Sequence, residues 1–189
     1  LFFGNKRTGK TTMMLEMARL QKFDIVANDK IAISDLAPSA CLGLPVKAGV
    51  RKSLFERVKS EIAHFSSDGQ KHFASMQEIA SAYGVSLIPK AHVRMIVYPM
   101  YQDSVIAATI RPTEDRKWYE RYFEKGAYNL LELDECINGD YSSSNLVALD
   151  QFAANLSTFE LVYSDNSRDE AAGVVSTVFE STFLKGRAK

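Results

Sequence analysis

Leu1-Phe2-Phe3-Gly4-Asn5-Lys6-Arg7-Thr8-Gly9-Lys10-Thr11-Thr12 opens the chain, and its reading decides the fold. Gly4 to Thr11 match G-x-x-x-x-G-K-[ST], the phosphate-binding P-loop. The apolar stub Leu1-Phe2-Phe3 reads as the end of a buried strand. Thr12 to Leu20 consists almost wholly of helix formers. Strand, glycine-bearing loop and helix is the context in which the motif works. Glycine permits the tight turn that aims backbone N–H groups at phosphate oxygens, and the helix adds its positive N-terminal end. The expected phosphate-binding set is therefore Gly4, Asn5, Lys6, Arg7, Thr8, Gly9, Lys10, Thr11 and Thr12. Lys10 is expected to reach the β- and γ-phosphates, and the Thr11 hydroxyl to ligate Mg²⁺.

Outward from the loop, helix and strand signals alternate. Lys22 to Asp29 carries a short apolar run, Ile25-Val26-Ala27, ending on polar residues, which suits a buried strand. Lys30-Ile31-Ala32-Ile33 reads as a second strand after a turn at Asn28-Asp29. Residues 34–52 are rich in Pro and Gly, with a further strand over Val46 to Val50. Ser53 with Glu56 forms a capping-box pattern before Leu54, Phe55, Val58, Ile62 and Phe65 at helical spacing, and Ser75 with Glu78 forms another. Val93 to Tyr98 and Val105 to Ile110 read as neighbouring strands, and Pro112 as the first turn of a helix over Thr113 to Glu124. An amphipathic helix around Leu146 to Leu156, a strand over Phe159 to Tyr163 and a helix capped by Ser167 complete the pattern. The whole predicts one α/β P-loop domain over residues 1–189, with a mixed central β-sheet flanked by helices. Because Leu1 falls inside a strand, further residues are expected upstream of it.

Composition narrows the class of function. Lys+Arg and Asp+Glu both number 23, so no global charge advertises nucleic acid or an anionic membrane. No apolar run approaches the roughly eighteen residues of a membrane span, and no signal peptide is visible. Cys41 and Cys136 lie far apart without CxxC spacing, as expected of reduced thiols in a cytoplasmic protein.

Phosphate chemistry needs a second acidic group, and two candidates compete. Asp29 ends the strand that follows the P-loop helix. Ligands of open α/β sheets bind beyond the carboxyl ends of strands, so a strand beside the first would bring Asp29 to the phosphates. There a carboxylate can hold Mg²⁺ or accept the proton of an attacking hydroxyl. Asp134-Glu135 instead follows Asn129-Leu130-Leu131-Glu132-Leu133, like the Walker B strand of ATPase motors. Glu132 interrupts that apolar run, and a central strand would have to bury it. Asp29 is therefore preferred.

Gly4 to Thr12, the helix, Ile25-Val26-Ala27-Asn28-Asp29-Lys30-Ile31-Ala32-Ile33 and then Gly43-Leu44-Pro45 together resemble the core of the HPr kinase and phosphoenolpyruvate carboxykinase group. The likeness covers about the first fifty residues and is topological beyond them. It implies a fold like the HPr kinase C-terminal domain and an acidic pair serving metal and general-base roles in phosphoryl transfer. Here the first member of the pair is Asn28. An amide accepts no proton at neutral pH, so either Asp29 takes both roles or the base lies elsewhere. The downstream signature of HPr kinases is absent, which points to a divergent small kinase with another substrate.

Other polar residues carry weaker signals. Lys6, Arg7, Lys47 and Arg51 can add charge around a phosphate or lie solvated. Asp103, between two expected strands, is an alternative base. His64, His72 and His92 share no ligand or triad spacing. The aromatic side of the Trp118 helix reads as core.

The expectation is an ATP- and Mg²⁺-dependent kinase acting on a hydroxyl group, of a serine in a protein or peptide or of a small molecule. Lys10 and Asp29 are its catalytic residues, and Thr11 and Asp29 its metal ligands. A P-loop ATPase or switch using Asp134-Glu135 is one alternative. A nucleoside or nucleotide kinase, with Arg111, Arg116 and Arg121 as a lid, is another. Neither nucleic acid nor membrane is an expected partner; a homo-oligomer is left open.

Overall fold

The computed structural model describes residues 1–4, 7–28, 31–33, 39–44, 46–113 and 156–184. In chain order these form α1 (Lys10–Gln21), β1 (Ile31–Ile33), β2 (Ala40–Gly43), β3 (Ala48–Val50), α2 (Lys52–Val58), β4 (Ser66–Ser67) and β5 (His72–Ala74). They continue with α3 (Met76–Tyr83), β6 (Lys90–His92), β7 (Met95–Tyr101), β8 (Thr109–Pro112), β9 (Ser157–Tyr163) and α4 (Arg168–Phe183). The protein is mixed α/β. Among the described residues no helix is long and apolar enough to cross a membrane.

The sheet beside the loop from Gly4 to Thr11 is assembled from distant parts of the chain. Phe2 bridges Val97 in parallel; the Phe3 N–H donates to the Val97 carbonyl at 3.0 Å and the Val97 N–H to the Leu1 carbonyl at 2.9 Å. β7 then runs parallel to β9 along its whole length, and β8 lies antiparallel on the far side of β9. Met95 and Val97 of β7 join one apolar cluster with β9 and α4, while Ile96 and Tyr98 join another around Cys41 and Val93. Burial on both faces explains why this strand is an unbroken apolar run. Two antiparallel three-stranded sheets, β1-β2-β6 and β3-β5-β4, complete the described strands.

α1 is sandwiched. Leu15 and Ala18 pack into a cluster built from β3, α2, β5 and α3, whereas Met13 and Met17 pack against β7, β9 and α4. A helix buried on two sides lacks the single apolar stripe of a surface helix. The exception inside it is Glu16, a charged residue only 1% exposed.

Several local expectations hold. Ser75 caps α3 in a reciprocal box, its hydroxyl accepting from the Glu78 N–H at 3.1 Å while the Glu78 carboxylate accepts from the Ser75 N–H at 2.9 Å. Others are corrected. Ser53 lies inside α2, whose cap position is Arg51, and no side chain caps that helix. Ser167 does precede α4 but spends its hydroxyl on the Ser164 N–H at 3.0 Å rather than on the helix. Pro112 itself ends strand β8, which among the described residues is the edge of its sheet, where a missing N–H is tolerated. Nor are β7 and β8 neighbours, because β9 lies between them. Closeness in sequence mimicked a hairpin, whereas the parallel β7–β9 pair needs a long crossover connection. The helix expected over Thr113 to Glu124, the segment Tyr128 to Ile137, Cys136 and the helix around Leu146 lie outside the described residues.

Candidate functional site

Gly4 and Gly9 both have positive φ, 146° and 99°, and Arg7 between them sits at φ 75°. A left-handed arginine is uncommon and fits a loop held in one shape by its surroundings. Gly9 is the cap residue of α1, so Lys10, Thr11 and Thr12 form the first helical turn. Glycine is required at position 9 twice over. Its φ is unfavourable for other residues, and a Cβ there would collide with the Tyr163 hydroxyl.

Lys10 folds back along the loop, its ammonium donating to the Gly4 carbonyl at 2.8 Å. Both ends of the motif are thereby tied together. The Thr11 hydroxyl donates to Oδ1 of Asn28 at 2.9 Å. Asn28 is 4% exposed, and its Nδ2 has no hydrogen-bond partner among the described residues. The segment Ile25 to Asn28 therefore ends against the first turn of α1. Among the described residues it is not paired with the strand before Gly4; Ile25 bridges Leu87 in parallel instead. Asp29, Asn5 and Lys6 lie outside the described residues, as do Asp134 and Glu135.

The carboxyl ends of β7 and β9 supply the other wall. Tyr101 and Tyr163 are register partners with rings 5.8 Å apart, edge to face. The Tyr163 hydroxyl donates to the Gly9 carbonyl at 3.4 Å, and the Gln102 N–H donates to the Tyr163 carbonyl at 2.9 Å. Burial pushes the Tyr163 phenol up to about 12, a rise that the nearby Arg168 charge opposes. The Tyr101 phenol is also raised, first by its hydrogen bond to Asp103. Asp103, the alternative base, is thus one aromatic pair away from Gly9. Arg168, 6% exposed, opens α4 and pairs with Asp165.

The remaining candidates do not converge here. Lys47 and Arg51 are exposed beside β3 and α2. His72 stacks on Phe55 with ring centroids 3.6 Å apart, His92 shares a 3.0 Å hydrogen bond with Ser39, and His64 is exposed. Arg111 is paired with Glu160 at 2.7 Å across β8 and β9; Arg116 and Arg121 lie outside the described residues.

Sequence reasoning passed over Glu16, Tyr163 and Arg168. The last two had a legible signal: Tyr163-Ser164-Asp165-Asn166-Ser167-Arg168 is a polar turn leaving a strand just before a helix, where α/β sheets place ligand contacts. Glu16 had none, since a charged residue in a helix normally faces water. It is instead held by Arg19 at 2.7 Å and Arg57 at 3.1 Å, both of which also reach Asp169.

Comparison of the chain with protein-family models, curated proteins and solved structures returns no match.

Proposed function

We propose that the protein is a P-loop phosphotransferase of HPr-kinase-like fold that moves the terminal phosphoryl group of Mg-ATP to a hydroxyl acceptor. The observation that supports this reading is the 2.9 Å hydrogen bond from Thr11 to Asn28. It joins the metal-ligating position of the motif to the residue next to Asp29, the spacing that the family resemblance calls for.

In this reading the loop N–H groups and the Lys10 ammonium bind and orient the phosphates. The Thr11 hydroxyl, its proton engaged by Asn28, offers its oxygen lone pairs, which are hard donors suited to Mg²⁺. Asp29 is the second ligand. The ion supplies charge neutralisation to the triphosphate, and a loose phosphoryl-transfer transition state asks for little more than positioning and such neutralisation. Asp29 also takes the acceptor hydroxyl's proton.

Two assays separate this from an ATPase or switch. The kinase hydrolyses ATP slowly alone, is strongly stimulated by hydroxyl acceptors and leaves phosphate on them. Fast, acceptor-independent hydrolysis that is lost in Glu135→Gln and unaffected by Asp29→Asn would replace the kinase with the ATPase.

A further inference from the structure

Asn28 carries more hydrogen-bonding capacity than its surroundings use. A buried amide offers one acceptor oxygen and two N–H donors. Its oxygen is taken by Thr11, while Nδ2 is buried without a partner among the described residues. Leaving a buried donor unpaired is costly, and most such groups in proteins are satisfied.

The orientation of the amide follows from the chemistry of its neighbour. A hydroxyl that lends its lone pairs to a cation has only its proton left to give. The group facing it must then be an acceptor, so the amide presents its oxygen to Thr11 and turns its NH₂ elsewhere. The residue next to it in sequence is Asp29, and the helix turn that Thr11 belongs to is the one whose N–H groups point at phosphate. A donor in that place, neutral and desolvated, is complementary to an anionic oxygen. A carboxylate, which the family resemblance puts at this position, would repel one.

We infer that Asn28 is a terminal-phosphate contact: its Nδ2 donates to an oxygen of the γ-phosphoryl group, so that the site distinguishes nucleoside triphosphate from diphosphate. This rests on the nucleotide-binding reading of Gly4 to Thr11. The exchange of acid for amide at position 28 then has a consequence. It gives up one metal-attracting charge and gains one donor to the group being transferred.

The test is calorimetric titration of the full chain with Mg-ATP and with Mg-ADP, for the parent, Asn28→Asp and Asn28→Ala. The aspartate keeps the shape and acceptor oxygen but removes the donor; the alanine removes both without adding charge. Folding of each variant is checked by circular dichroism and thermal melting. A hydrogen bond to a charged group predicts that the preference for ATP over ADP falls about tenfold or more in both variants. Binding of Mg-ADP persists in both. An unchanged ATP:ADP preference in a variant that still binds Mg-ADP overturns the inference while leaving the nucleotide site standing. Failure of the parent to bind either nucleotide overturns the nucleotide site itself.

Discussion

At the scale of single residues, Lys10 joins the two ends of the loop from Gly4 to Thr11, and Thr11 joins the first helical turn to the buried Asn28. Under the proposed function both Lys10→Ala and Thr11→Ala are expected to abolish phosphoryl transfer; the thermal melt stays near the parent's in Lys10→Ala and falls in Thr11→Ala, which leaves the buried Asn28 oxygen unpaired. Calorimetry decides the assignment: Mg-ATP affinity in Lys10→Ala equal to the parent's would remove Lys10 from the phosphate site. The neighbouring pair gives an ordered expectation. Asp29→Asn lowers the catalytic rate by about a hundredfold or more, the low end for a positioned acid or base. Asn28→Ala costs less, because an amide only orients and donates. Asn28→Asp tightens metal binding without destroying activity, since a carboxylate near a dication is attracted to it. A dead Asn28→Ala beside a nearly unimpaired Asp29→Asn would move the base to Asp103, which Tyr101 and Tyr163 connect to Gly9.

At the scale of elements, the buried Glu16 is what ties α1 to α2 and α4. Arg19 of α1 and Arg57 of α2 share its carboxylate, and the same two guanidinium groups meet Asp169 of α4. Glu16 is enclosed, whereas the Asp169 side chain is 60% exposed. The two acids should thus behave differently. Removing Glu16 leaves two half-buried cations short of their counter-charge, at a cost of about 3 kcal/mol or more. Removing Asp169 from a solvated pair costs under about 1 kcal/mol. Urea unfolding of Glu16→Ala and Asp169→Ala measures both, and equal small losses would show that the carboxylate of Glu16 holds nothing together.

At the scale of the whole molecule, Tyr163 links the last strand of the sheet to the loop that the first residues form. Its phenol is raised from 10.0 to about 12 by burial. A tyrosine whose folded value lies above its unfolded one stabilises the fold in its neutral form. That contribution is complete below about pH 10 and is lost as the pH rises toward about 12. Melting temperatures measured across this window should fall more steeply for the parent than for Tyr163→Phe, which has no proton to lose. Parallel curves for the two proteins would mean that Tyr163 titrates alike folded and unfolded.

What the amino-acid sequence determined by itself is whatever depends on residues a few positions apart. The glycine-bearing turn before α1, the helix behind it, the Ser75–Glu78 box and the apolar strand over Met95 to Tyr98 all follow from spacing, because turn geometry, helix period and capping act over one or two turns of chain. The tertiary structure alone decided which strands are neighbours. The strand before Gly4 lies beside β7, some ninety residues on, and β9 separates β7 from β8. Parallel pairing leaves no turn signal in the sequence, since its partners are joined by long crossovers instead of tight loops. For the same reason the bond between Thr11 and Asn28, the closure of Gly9 by Tyr163 and the burial of Glu16 could not be read beforehand. Each is a contact between side chains that only the packing of separate elements brings within reach.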